Sequence, residues 1–143
     1  MKPQIGVITL GVDDLNRSLV FYRDGLGLPT KGITGDEFKG DAERPSGAVV
    51  MFHLKGGLIL ALYPRSELAK DARHTMGVRS PTEFSLGYLA ASKEEVDQIL
   101  EQAKTAGATI TDSAHARPWG IYSGYFKDPD GHLREVIWSP SSP

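Results

Sequence analysis

The sequence predicts an α+β fold: two βαβββ modules forming a single domain of 143 residues. Three observations predict it. The order strand, capped helix, hairpin occurs twice, over residues of about 4–64 and 82–139. Apolar spacing switches between the strand period and the helix period in both copies. Each copy closes on two apolar runs joined by turn residues.

In the first module, residues 5–12 form a β-rich run. Ile8, Leu10 and Val12 share one face and suit packing against a helix, which leaves Ile5, Val7 and Thr9 on the other. Asp13 or Asp14 offers an N-cap. Residues 15–26 carry Leu15, Leu19, Tyr22 and Leu26 at helical spacing, with Gly25, Gly27 and Pro29 as the stop. Residues 35–46 are charged, contain Gly40 and Pro45, and read as a mobile loop. A hairpin follows, residues 48–54 turning at Gly56-Gly57 into residues 58–63. This count pairs Phe52 with Ala61 and turns His53 away from Ala61's face. The polar linker 65–81 is expected to hold a short helix near residues 66–72.

In the second module, residues 84–89 read as a strand. Ser92-Lys93-Glu94-Glu95 is a capping box, each end satisfying a free N–H of the other. Val96, Ile99, Leu100 and Ala103 make the apolar stripe of the next helix, which Gly107 closes before a strand beginning near Ala108. Residues 121–126 turn at Asp128-Pro129-Asp130-Gly131 into residues 133–138. This count puts Tyr122 and Phe126 on the Glu135 side and Tyr125 on the other. The tail 139–143 is too small and polar to pack.

Composition excludes several classes. Sixteen basic and eighteen acidic residues leave a formal charge of −2, which disfavours a general nucleic-acid partner. The absence of cysteine excludes disulfides, a thiolate nucleophile and zinc–thiolate or iron–sulfur centres. No apolar run approaches membrane-span length and no signal-peptide core follows Met1, so a cytoplasmic protein is expected. Gly25-Leu26-Gly27 follows a helix and offers no helix N-terminus to a phosphate. There is no Gly-x-Ser-x-Gly elbow.

Three motifs then stand in order on the duplicated pattern. They are Leu10-Gly11-Val12-Asp13-Asp14-Leu15, Phe21-Tyr22-Arg23-Asp24-Gly25-Leu26-Gly27-Leu28, and Gly124-Tyr125-Phe126-Lys127-Asp128-Pro129-Asp130-Gly131-His132. Together they resemble the vicinal oxygen chelate superfamily of glyoxalases, extradiol dioxygenases, and fosfomycin and bleomycin resistance proteins. The resemblance implies a cup-shaped curved mixed sheet, helices on its outer face, a ligand or metal on the inner face, and a homodimer.

Metal-dependent members place one His or Glu ligand on each of four strands. By this resemblance the four positions fall on Val7, Ala61, Ser85 and Glu135. Glu135 alone keeps a ligand type. Glu83 and Thr9 lie two residues from Ser85 and Val7, but neither restores a histidine pair. The four histidines, His53, His74, His115 and His132, have no short ligand spacing. No cofactor is expected, and a divalent metal is disfavoured.

The resulting expectation is a small molecule bound in an apolar cup, with no family-type metal site. Glu135 is the candidate anchor or general base. Val7, Thr9, Ala61, Ser85, Tyr122, Phe126 and Trp119 are the candidate ligand contacts. The loop 114–120 adds Arg117 beside Trp119, although exposed arginines are commonly only solvated. Two other readings stand beside this one: a lyase, isomerase or dioxygenase-type enzyme using Glu135 as base or sole retained metal ligand, and a non-catalytic interaction module.

Overall fold

The computed structural model describes residues 1–141, so the end of the polar tail, Ser142 and Pro143, lies outside the described residues. The chain divides into two compact units, Met1–Val78 and Arg79–Pro143. Each holds a four-stranded mixed sheet, and the fold class is α+β as the sequence predicts. No helix among the described residues is long and apolar enough to cross a membrane.

The first unit contains β1 (Val7–Val12), α1 (Leu15–Leu19), β2 (Ile33–Thr34), β3 (Val49–His53), β4 (Ile59–Pro64) and α2 (Arg65–Ala72). The strand order is β1-β4-β3-β2, with β1 parallel to β4 and the other pairs antiparallel. Asp14 caps α1 by accepting the Arg17 N–H at 3.0 Å. The helix then widens into a π turn over Val20–Gly25, and the Leu26 N–H bonds to the Phe21 carbonyl five residues back. The wider turn sinks both Phe21 and Tyr22, where the α-helical stripe predicts only Tyr22. Gly27 ends the helix at φ 77°, a backbone conformation that favours glycine.

The Tyr22 ring lies 6.0 Å from that of Phe52, which shows which face of this sheet the helix covers. On that face Leu10, Val12, Val50, Phe52, Leu60 and Leu62 are buried. The loop read as mobile is held at several points: Asp41 accepts the N–H groups of Glu43 and Arg44, Glu67 of α2 accepts the Ser46 N–H, and Tyr63 donates to the Ser46 carbonyl.

The second unit contains β5 (Ser85–Leu89), α3 (Lys93–Thr105), β6 (Thr109–Ala116), β7 (Tyr122–Lys127) and β8 (Leu133–Trp138). Its order, β5-β8-β7-β6, repeats that of the first unit. Ser92 caps α3 by accepting the Glu95 N–H at 3.1 Å. The return bond differs from the expected box: Glu95 accepts from Ala91, one residue before the cap. Val96, Leu100 and Ala103 of α3 are buried, as are Phe126 and Val136 of the sheet. A Cβ built on Gly124 would meet Leu100 Cδ1 at 2.6 Å, so the Gly124 face is the one under α3.

Both hairpins depart from the sequence reading by one residue. In the first, three residues lie between Leu54 and Leu58, which bond to each other, and Gly56 and Gly57 sit at φ 82° and 88°. Phe52 therefore faces Leu60 and Met51 faces Ala61. In the second, the closing bond runs from the Asp128 N–H to the His132 carbonyl, and Lys127 faces Leu133. A shift of one residue moves every side chain of the hairpin to the opposite face relative to its partner strand.

Candidate functional site

The shift reassigns the aromatic residues. Glu135 pairs with Tyr125 on one side and Gly87 on the other. Ser123, Tyr125 and Glu135 thus share the sheet face turned away from α3. Tyr122 and Phe126, expected beside Glu135, lie on the α3 face instead. Phe126 is 2% exposed in the core. The Tyr122 hydroxyl donates to Asp97 of α3 at 2.7 Å, and this bond, with some burial, holds its pKa above the usual value. The expected placement of both beside Glu135 is therefore corrected: they sit on the opposite face of the sheet. His53 changes face as well: it pairs with Ile59 and shares a face with Met51 and Ala61.

Around Glu135 the second sheet carries a connected polar cluster. The buried Ser123 hydroxyl donates to Glu135 Oε2 at 2.8 Å. Arg117 Nε donates to Ser123 Oγ at 2.5 Å, and its Nη2 donates to the Ser123 carbonyl at 3.2 Å and to Asp112 Oδ2 at 2.8 Å. The guanidinium lies 5.3 Å over the Tyr125 ring. Tyr125 pairs with Glu135 across β7 and β8, and burial first, then the neighbouring Glu135 carboxylate, raises its pKa.

Asp112 also meets His115 Nε2 at 3.0 Å, while His115 Nδ1 meets the Ala116 carbonyl at 3.0 Å. With an acceptor at each ring nitrogen, the imidazolium is favoured. The His115 pKa is raised, by the Ala116 carbonyl first and Asp112 second. Asp112 is held below the usual carboxylate range, by Arg117 first and His115 second.

Local backbone geometry assembles this cluster. β6 is irregular, with register shifts between Ile110 and Asp112 and again between Asp112 and His115. The bulged strand crosses close to β7 at Gly124, where an added Cβ would lie 2.9 Å from both the Ala114 nitrogen and the Asp112 oxygen. Residues distant in sequence thus converge on Ser123.

A cleft of about 450 Å³ adjoins the cluster, lined by Thr82, Phe84, Ser85, Thr111, Tyr125 and Leu133. Ser85, a predicted site residue, lines it. Glu135 flanks it, sharing a face with Tyr125 and Leu133. Val7, Thr9 and Ala61 belong to the first unit, on the face of its sheet turned away from α1. Trp119 stands at the tip of the β6–β7 turn, 89% exposed at φ 63°, and does not line the cleft. Sequence reasoning missed Ser123, Tyr125 and Asp112. A correct count of the second turn would have recovered the first two.

The donor set does not fit the metal that the fold family implies. Val7 and Ala61 offer only hydrocarbon, and Glu135 accepts a hydrogen bond from Ser123. Glu83 precedes β5, so strand alternation no longer places it beside Ser85. Among the described residues no group of three or more His, Asp or Glu could hold a metal ion.

Comparison with known proteins agrees with this architecture. Residues 4–136 match the family model described as Glyoxalase/Bleomycin resistance protein/Dioxygenase superfamily, and the chain belongs to that superfamily. It is similar to a glyoxalase-related enzyme from Fulvimarina pelagi, with TM-score 0.83 and 28% identity over 99% of this chain and 91% of that one. It is also similar to a lactoylglutathione lyase from Agrobacterium tumefaciens, with TM-score 0.65 and 27% identity over 96% and 95%. The fosfomycin resistance protein FosX from Listeria monocytogenes shares the fold, with TM-score 0.68 and 22% identity over 99% and 97%.

Proposed function

We propose that this superfamily member binds a small molecule against the α3-distal face of its second sheet, with Glu135 as the polar anchor and no family-type metal site. One observation carries the reading: a carboxylate held by Ser123, with Tyr125 beside it, next to a cleft with apolar walls at Phe84 and Leu133. Pockets of this kind take their affinity from apolar contact and their orientation from a few fixed polar groups. Thr82, Ser85 and Thr111 add hydroxyls around the rim.

A fragment screen followed by backbone NMR tests it. Fragments are expected to shift the resonances of Ser85, Thr111, Tyr125 and Leu133, and a bound ligand at 100 times its Kd should add about 2.7 kcal/mol of stability. A screen that leaves those residues unmoved overturns the reading. Plasma mass spectrometry of untagged protein purified without chelator tests the metal clause: near one divalent ion per chain would overturn it.

A second reading draws on the relatives. Two proteins at 27% and 28% identity are called a lyase and a glyoxalase-related enzyme, so Glu135 as a general base in a lyase or isomerase is the enzymatic alternative. Glu135→Gln separates the two. Turnover lost with ligand binding retained supports the base, and turnover unchanged removes it.

The homodimer belongs to the same proposal. β1 and β5 are edge strands that leave Val7 52% and Leu89 61% exposed, and a second copy would cover such edges. Light scattering at micromolar concentration is expected to give twice the chain mass.

A further inference from the structure

We propose that Arg117 is a positioning residue that sets the hydrogen-bond polarity of the cleft, so that its ligand must bring a donor, an O–H or N–H group, to Glu135. This rests on the reading of the cleft as a ligand site.

The inference follows from counting protons. A guanidinium only donates and does not lose its proton in proteins. Arg117 Nε points its N–H at Ser123 Oγ, so that oxygen must accept. Ser123 has one hydroxyl proton and is fully buried, with Glu135 Oε2 2.8 Å away. The proton therefore goes to Glu135. The opposite arrangement, a protonated Glu135 donating to Ser123, would leave the Ser123 proton directed at a guanidinium that cannot accept it.

Tyr125 stands beside the same carboxylate on this sheet face, with Arg117 over its ring. A carboxylate has about four lone-pair sites, and the Ser123 hydroxyl uses one. The rest can only accept. A ligand group with lone pairs alone, such as an ether or ketone, would meet lone pairs.

The arrangement is built into the backbone. Asp112 anchors Arg117 from the bulged part of β6, and the close crossing over Gly124 brings that strand within reach of Ser123. Asp112 also balances the guanidinium charge, so Arg117 can touch Ser123 without itself recruiting an anion.

The test uses phenol and anisole as probes, since they share a ring and differ by a methyl cap on the oxygen. Titrations are followed at the backbone resonances of Ser85, Thr111, Tyr125 and Leu133. The wild-type protein is expected to bind phenol at least about tenfold tighter than anisole, the usual scale of a hydrogen bond to a charged group. Arg117→Gln is expected to bring the ratio close to one, because an amide both donates and accepts and lets the Ser123 hydroxyl turn. Arg117→Lys, donor-only like arginine, is expected to restore the preference, which a merely structural role would not predict.

Ser123→Ala cuts the same link and carries the comparison if Arg117→Gln does not fold. A wild-type ratio near one, or a wild-type ratio retained in Arg117→Gln or Ser123→Ala, overturns the proposal. If neither probe moves those resonances at millimolar concentration, the cleft reading falls and this proposal with it. Anisole binding there as well as phenol overturns the polarity alone.

Discussion

The two sheets are one topology carrying different chemistry, and a row-by-row comparison shows where they part. In the first, the row Thr9–Ala61–Met51 crosses β1, β4 and β3. Its counterpart in the second is Gly87–Glu135–Tyr125 across β5, β8 and β7. The next row toward the helix side is Leu10–Leu62–Val50 in one and Tyr88–Val136–Gly124 in the other. Each helix-facing row keeps a buried aliphatic residue at its centre, Leu62 or Val136, because each sheet needs an apolar face to pack. The other face is free of that demand, and there Ala61 has become Glu135's counterpart.

The outer strands differ too. β2 has two residues, whereas β6 has eight and two register shifts. The long bulged strand supplies Asp112 and leads into Arg117, and the first unit has nothing equivalent. Duplication explains the shared core, and divergence is concentrated where packing does not oppose it.

The strongest test removes a core aromatic from each sheet. Phe52→Ala and Phe126→Ala are each expected to cost about 3–5 kcal/mol in urea unfolding. A loss below about 1 kcal/mol at Phe126 would break the equivalence and return that residue to the pocket wall. Gly124→Ala should come next, at about 1–3 kcal/mol, because the added methyl meets backbone atoms of β6 that cannot rotate aside. Its counterpart position already holds a fully buried valine, Val50.

Ser123→Ala is expected to cost about 1–3 kcal/mol, since it leaves Arg117 and Glu135 each short of a partner. On the opposite sheet Met51→Ala, at the position matching Tyr125, should stay within about 0.5 kcal/mol in the same assay. Equal costs would show that the cluster contributes nothing special.

The smallest effect is one of pH. The folded His115 pKa lies above 6.5, so its stabilising contribution is complete below that value and is lost as pH rises through the folded pKa. Asp112, lowered from 3.8, keeps its charge across this window. His115→Gln should therefore lower Tm slightly at pH 5.5 and leave it unchanged at pH 8.5. A difference at pH 8.5 instead would sink the pairing.

Much of this was legible from residue order. The Asp14 and Ser92 caps, the α3 stripe and the short linker helix all lie where local patterns place them. The site was less legible because both hairpin turns carry one more residue than their glycine and proline signals indicate. In the second turn the side chain of Asp128, itself buried, accepts the N–H groups of Asp130 and His132, and its Oδ2 meets His132 Nδ1 at 2.9 Å. This web draws His132 into the turn. A reading that ends the turn at Gly131 places Glu135 with Tyr122 and Phe126, on the wrong face. Phe21 was missed for a related reason, since a π turn adds a residue that a 3.6-residue period does not anticipate.

By itself, then, the sequence determined the duplicated α+β architecture, the helix boundaries, the superfamily and the lack of metal-ligating atoms at Val7 and Ala61. These depend on neighbouring residues, on periodicity and on residue type, all written along the chain. Only the tertiary structure decided which aromatic residue meets Glu135 and that Arg117 and Asp112 reach it through Ser123. Strand register depends on hydrogen bonds inside a turn, and a bulge depends on the strand it crosses. A period of two marks the faces of a strand without saying which face meets which.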